Sequence, residues 1–137
     1  MPRYMLDTDI ASCIMKRSHP PLLAKLNQAA VEDVCISVIT RAELEYGIAI
    51  SPHRQQDQKA LAQFVRFTQT LEFLPDASTH YGEIRTHLKN RGLIIGANDL
   101  FIAAHAQSLK LTLVTNNTRE FHRVPDLKTE NWTKLAR

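Results

Sequence analysis

Four carboxylic acids stand where chemistry, more than solubility, would put them. Asp7 closes the apolar run Tyr4-Met5-Leu6, and Glu43 falls within the stretch that follows Val34-Cys35-Ile36. Asp99 heads a later Ala-rich stretch, and Glu120 lies just beyond Leu111 to Val114. In an open parallel sheet the carboxyl ends of strands and the starts of the following helices converge on one crevice, so acids far apart in sequence can meet there. Carboxylates forced together cannot all stay ionised without a cation, and a hard, oxygen-only donor set suits Mg²⁺ or Mn²⁺ rather than zinc. Such a centre supports metal-assisted phosphoryl transfer. Asp9, Thr115 and Asn117 are its polar neighbours in sequence. Each acid also has a plainer reading. Asp9 and Asp99 would serve as helix caps, Glu43 as a partner for Arg41, and Glu120 as a partner for Arg119 or Arg123. Asp7 is the hardest to explain that way, because an Asp at the end of an apolar strand is half buried with no cation close in sequence.

The elements that must position these residues alternate between short strand-like runs and longer amphipathic ones, the pattern of an α/β domain with a mainly parallel central sheet. Strands are expected at Tyr4 to Leu6, Val34 to Ile36, Leu71 to Leu74 and Leu111 to Val114, with an edge strand near Trp132. Asp9 is expected to cap a helix carrying Ile10, Cys13 and Ile14, and Pro20-Pro21 to open a second carrying Leu22, Leu23 and Leu26. Ser37 or Thr40 would cap the helix of Glu43 and Tyr46, and residues 53 to 70 would bury Leu61, Phe64 and Val65. A helix from Asp76 to about Asn90 should stop at Gly92, followed by a buried connection through Leu93-Ile94-Ile95-Gly96. The helix from Ala97 to Leu109 opens on Asn98-Asp99, and a helical turn passes through Phe121.

With 137 residues, 44% hydrophobic and 23% charged, the chain has the proportions of one soluble domain spanning residues 1–137. No apolar run reaches the roughly 20 residues of a membrane span, and the start turns polar too early for a secretory signal, so a cytoplasmic location is expected. Cys13 and Cys35 fit neither a disulfide framework nor zinc spacing and are expected as reduced core residues. The six histidines show no metal-ligand spacing, and His105 is expected as a packed or partner-facing side chain. The net charge is only +3, yet outside the four acids 17 basic residues face 10 acidic ones. That distribution suits a negative centre ringed by phosphate-binding surface, with Arg85, Lys89 and Arg91 as candidate phosphate contacts. Ordinary solvated helix faces would look the same.

Four blocks then become familiar together: YMLDTD at 4–9, ISVITRAELEYG at 36–47, IGANDLFIAAHA at 95–106 and VTNNTREF at 114–121. In this order, over nearly the whole chain, they resemble the PIN-domain ribonucleases, and most of all the VapC toxins of bacterial toxin–antitoxin pairs, including the enteric branch that acts on initiator tRNA. The resemblance implies a PIN-like three-layer α/β/α fold and an Mg²⁺-dependent endoribonuclease, with Mn²⁺ as a substitute. Its metal-binding acids fall on Asp7, Glu43 and Asp99. The fourth acidic position of many PIN domains falls near Asn117, an amide here, and Glu120 is the candidate to supply the charge. Asp9 stands where the branch more often has Asn. The implied substrate is a tRNA cut in the anticodon stem-loop, and the implied partners are a VapB-type antitoxin and a second copy of the chain, assembled into a higher-order complex.

Two other readings compete. Asp7-Thr8-Asp9 after an apolar strand also resembles the nucleophile–acid pair of haloacid-dehalogenase phosphatases, but Ala11 departs from that signature and Glu43 and Glu120 would have no role. A PIN-like module that only binds RNA or protein would have no need of an intact acidic set. For the partner, Tyr46, Ile48 and Ile50 continue the helix past Glu43, and an inhibitor could lay apolar side chains there while placing a cation among the acids. Ile10 and Ile14 are expected in the core.

Overall fold

A computed structural model of the protein describes residues 1–134. Its centre is a sheet of five strands, β1 (Tyr4–Leu6), β2 (Val34–Ser37), β3 (Gln69–Leu71), β4 (Thr112–Val114) and β5 (Thr129–Glu130), in the order β3-β2-β1-β4-β5. Every pairing is parallel, with Met5 level with Cys35 on one side and with Leu113 on the other. The helices are α1 (Thr8–Lys16), α2 (Pro20–Gln28), α3 (Val38–Ala49), α4 (Arg54–Phe67), α5 (Pro75–Asn90), α6 (Ala97–Ser108) and α7 (Thr118–Phe121).

Side chains alternate across a strand, and here the alternation builds two cores. Met5, Cys35 and Leu113 face α5 and α6, where they meet Ile84, Leu88, Leu100, Ile102 and Ala106. Leu6, Val34, Ile36 and Val114 face α1 to α4, where they meet Ile10, Ile14, Leu22, Leu44, Ile48 and Leu61. Central strands of a parallel sheet are apolar on both faces because both are covered. The three α/β/α layers follow. Ile10 and Ile14 are core residues as expected, and both cysteines are free, Cys35 buried and Cys13 partly so.

Several boundaries differ from the sequence reading. Asp7, not Asp9, caps α1: its carboxylate accepts Ile10 N–H at 2.8 Å, because strand and helix are separated by that one residue. Ser37 caps α3, its hydroxyl accepting Ile39 N–H. Strand β3 ends at Leu71 rather than beginning there: it pairs only with β2, and Leu74 is largely exposed ahead of Pro75, which opens α5. Helix α4 stops at Phe67. In the connection before α6 only Ile95 is buried, Leu93 being 41% and Ile94 50% exposed. The edge strand lies at Thr129–Glu130, two residues before Trp132, whose ring is buried edge-on against Tyr4.

Candidate active site

The site forms where β1 and β4 end. Asp7 follows β1 directly, and its backbone N–H continues the ladder onto Val114 C=O at 3.0 Å. Its side chain is 4% exposed. Burial is the main force on it and raises its pKa to about 6, the Asp9 and Glu43 charges adding to the rise while the Thr115 hydroxyl and the Ile10 N–H oppose it. Asp99, in the first turn of α6, is raised to about 7, by burial first, then by Glu120, Asp7 and Glu43. These mutual effects bring Asp7, Glu43, Asp99 and Glu120 into one electrostatic neighbourhood.

Glu43 is held from below. Thr8 donates its hydroxyl to Glu43 Oε1 at 2.5 Å and contacts the buried Thr40 hydroxyl at 3.1 Å, so α1 and α3 jointly aim this carboxylate. Glu120 is held from above, Oε1 accepting Gly96 N–H at 3.1 Å and Oε2 accepting the Asn117 amide. Gly96 lies close under the pair: a Cβ there would stand 3.4 Å from Asp99 Oδ2 and 3.9 Å from Glu120 Oε1. Thr115 is fully buried, and its hydroxyl accepts Asn117 N–H at 2.9 Å.

No cation pairs with these acids among the described residues. The salt bridge of Arg41 is to Glu45, not Glu43, and the other joins Arg3 to Asp33. Arg119 and Arg123 make no salt bridge to Glu120 among the described residues, and Arg123 reaches the Ile94 carbonyl instead. Among the described residues no three acids or other ligating side chains are already drawn into a closed metal cage. Oxygen donors only, two carboxyls whose charged forms are disfavoured by burial and by neighbouring acids, and no competing Lys or Arg among the described residues: this donor set fits a hard divalent cation.

The basic candidates lie elsewhere. Arg85 and Lys89 are exposed on α5 and Arg91 just beyond its end; Arg85 donates to the Tyr81 hydroxyl at 2.9 Å and Arg91 reaches the His87 carbonyl. Asp9 is exposed in the first turn of α1, near enough to act on Asp7 through its charge. Thr8, Ser37, Thr40 and Gly96 are the residues that sequence reasoning passed over as site residues; only the position of Thr8 between two acids gave a local signal. Beside the acids a groove of about 470 Å³ opens between α1, α3 and α4, lined by Thr8, Met15, Glu43, Ile48, Ile50 and Ala60 among others.

A PIN-domain family profile matches residues 4–127. Ribonuclease VapC2 of Haemophilus influenzae is 42% identical over 132 residues, covering 96% of this chain and 99% of that protein. The tRNA(fMet)-specific endonuclease VapC of Shigella flexneri is 39% identical, covering 97% of this chain and all of the relative. Among solved structures, VapBC2 from Rickettsia felis bound to a DNA fragment from its promoter superposes with a TM-score of 0.88 at 40% identity, over 94% of this chain and 98% of that one.

Proposed function

The chain belongs to the PIN-domain family, with VapC ribonucleases as near full-length relatives, and from that premise we propose that it is a Mg²⁺-dependent endoribonuclease, the toxin of a VapBC toxin–antitoxin pair, acting on initiator tRNA in the anticodon stem-loop. The observation that carries the catalytic part is the acidic neighbourhood of Asp7, Glu43 and Asp99, joined by Glu120, with no cation paired to it among the described residues. Family membership removes the phosphatase alternative. The intact acids speak against a module that only binds.

Asp7, Asp99 and Glu43 would hold the cation, Mg²⁺ or in its place Mn²⁺. Such a cation supplies Lewis acidity and neutralises the charge that builds on a phosphodiester during in-line displacement. Around it the chain's own groups have separate tasks. Asp7 is fixed by its cap bond and by Thr115, so its carboxylate needs little reorganisation. Glu43 is aimed by Thr8. Burial and the neighbouring Glu120 disfavour the charged form of Asp99, a cost that a bound cation would offset, and Glu120 itself is held beside it by Gly96 N–H and the Asn117 amide. Asp9 and Asn117 complete the polar rim. The tRNA assignment rests on the name of the Shigella relative. The basic side chains Arg85, Lys89 and Arg91 would contribute only backbone-phosphate attraction.

The antitoxin is assigned to the groove between α1, α3 and α4, whose wall joins Glu43 to the exposed Ile50. A homodimer in the bacterial cytoplasm, with residues 1–137 acting as one domain, completes the reading. The test is incubation of the purified protein with total RNA and Mg²⁺ beside a chelator control, followed by mapping of the 5′ ends. Cleavage at one tRNA anticodon loop, leaving 5′-phosphates and abolished by chelation, is the expected result. Chelator-resistant cleavage, or none, would overturn it.

A further inference from the structure

His105 and Ser37 are both buried between the sheet and α6, and the chemistry above uses neither. His105 Nδ1 lies 2.8 Å from Ser37 Oγ, across 68 residues of sequence. The same oxygen accepts Ile39 N–H at 3.0 Å and so caps α3. The pull of the Glu72 backbone favours a ring proton on Nε2, and with that tautomer the Ser37 hydroxyl donates to Nδ1. Nε2 has no partner at good hydrogen-bonding geometry, and the Glu72 backbone is the polar group on its side. The ring stands edge-on to Phe73, centroids 5.3 Å apart. Burial lowers its pKa against the pull of the Glu72 backbone, so the imidazole is neutral.

A hydrophobe would fill this space without an unsatisfied nitrogen, so what histidine adds is a directional bond. Spacing gives that bond its consequence. Ser37 precedes Glu43 by six residues and His105 follows Asp99 by six, about 9 Å along each helix at 1.5 Å per residue. Ser37 meets His105 at one end of this contact, while Glu43 acts on Asp99 at the other. On its opposite flank α3 is tied to α1 through Thr8 and Thr40. A bond pinning two stiff helices at one end sets their register and roll at the other.

We propose that His105 is a positioning residue for the acidic centre: through Ser37 it holds the helix of Asp99 in register with the helix of Glu43, and so sets the separation at which the two carboxylates meet a divalent cation. This rests on the metal-dependent nuclease reading.

Two substitutions exchange the properties at issue. His105→Phe keeps the ring volume against Phe73 and removes Nδ1, whereas His105→Asn keeps a polar atom near the place of Nδ1 and gives up volume. Mn²⁺ affinity of the purified protein is measured by electron paramagnetic resonance, with the melting temperature and RNA cleavage recorded alongside. His105→Phe should weaken Mn²⁺ about tenfold, the usual size for loss of a group that orients a ligand, while His105→Asn should stay within about threefold of wild type despite melting lower. A packing role predicts the reverse order. Ser37→Ala removes the same bond together with the α3 cap bond to Ile39 N–H, so it should weaken Mn²⁺ at least as much as His105→Phe while melting lower, and the double variant should bind no more weakly than Ser37→Ala alone. Wild-type Mn²⁺ affinity in His105→Phe, or in Ser37→Ala should the former not fold, would overturn the proposal, as would fully additive effects. If wild type binds Mn²⁺ but cleaves no RNA, the nuclease reading fails and the affinity comparison still decides the role of His105. If wild type binds no Mn²⁺, both fall.

Discussion

Asp7 carries two duties that pull against each other, because the carboxylate that caps α1 is also the most buried charge of the site. Its folded-state pKa of about 6 lies above its ordinary 3.8. Between those values the native chain binds more protons than the unfolded one, so the metal-free protein should lose stability as pH rises from about 4. Above pH 6 the penalty from this one group is roughly 3 kcal/mol at 1.36 kcal/mol per pKa unit. Asp99, raised to about 7, extends the decline towards neutrality. Asn caps a helix as well as Asp does, so Asp7→Asn should keep the fold, flatten the pH dependence of the chemical-denaturation midpoint between pH 4 and 7, and reduce RNA cleavage to background. An unchanged pH slope in this variant would show that burial does not strain Asp7. Mg²⁺ should restore what the charge removes: it competes with protons for the same carboxylates, so its stabilisation of wild type should be larger at pH 8 than at pH 5. Thermal melts with and without Mg²⁺ at the two pH values measure this, and Asp7→Asn should show no such gain.

At the scale of the elements, the sequence was readable wherever a local rule was sufficient. Asp7, Glu43 and Asp99 could be picked out because each sits at a fixed place after a strand or at a helix start, and Gly92 because a helix ending in the left-handed region selects glycine. Gly92 has φ +65°, its N–H bonds Lys89 C=O, and Leu93 N–H reaches back to Leu88 C=O. Gly92→Ala should therefore cost about 1 kcal/mol in denaturant unfolding, from conformation alone since open space surrounds it, and leave the RNA cleavage rate unchanged. What local rules could not supply were contacts closed by the fold. Thr8 to Glu43 spans 35 residues and His105 to Ser37 spans 68, and neither has a sequence period. Strand β3 departs from its apolar signal for a related reason: an edge strand paired on one side carries a weak apolar pattern, and the stronger run at Leu71 to Leu74 lies mostly beyond it. The exposed Leu93 and Ile94 show the same limit, since an apolar run reads as buried whether or not the chain provides anything to cover it.

For the whole molecule, the acids and the groove share one side of the fold, so that whatever fills the groove between α1, α3 and α4 also reaches Glu43. A segment seated there would bury apolar side chains against Ile48 and Ile50 and set a Lys or Arg against carboxylates that have no cation among the described residues. Inhibition would then combine displacement of the divalent cation with obstruction of RNA. Ile50 separates inhibition from catalysis, because it is 65% exposed and makes no part of the acidic set. Ile50→Asp should fold and cleave RNA as wild type does, while placing a repelled, hydrated charge where the partner needs an apolar contact. Titration of RNA cleavage against a purified VapB-type antitoxin that inhibits the wild type should then require about tenfold or more antitoxin for half-inhibition, the size of a 1.4 kcal/mol loss. If Ile50→Asp is inhibited at the wild-type concentration, the antitoxin does not use this groove, whatever the fate of the nuclease assignment.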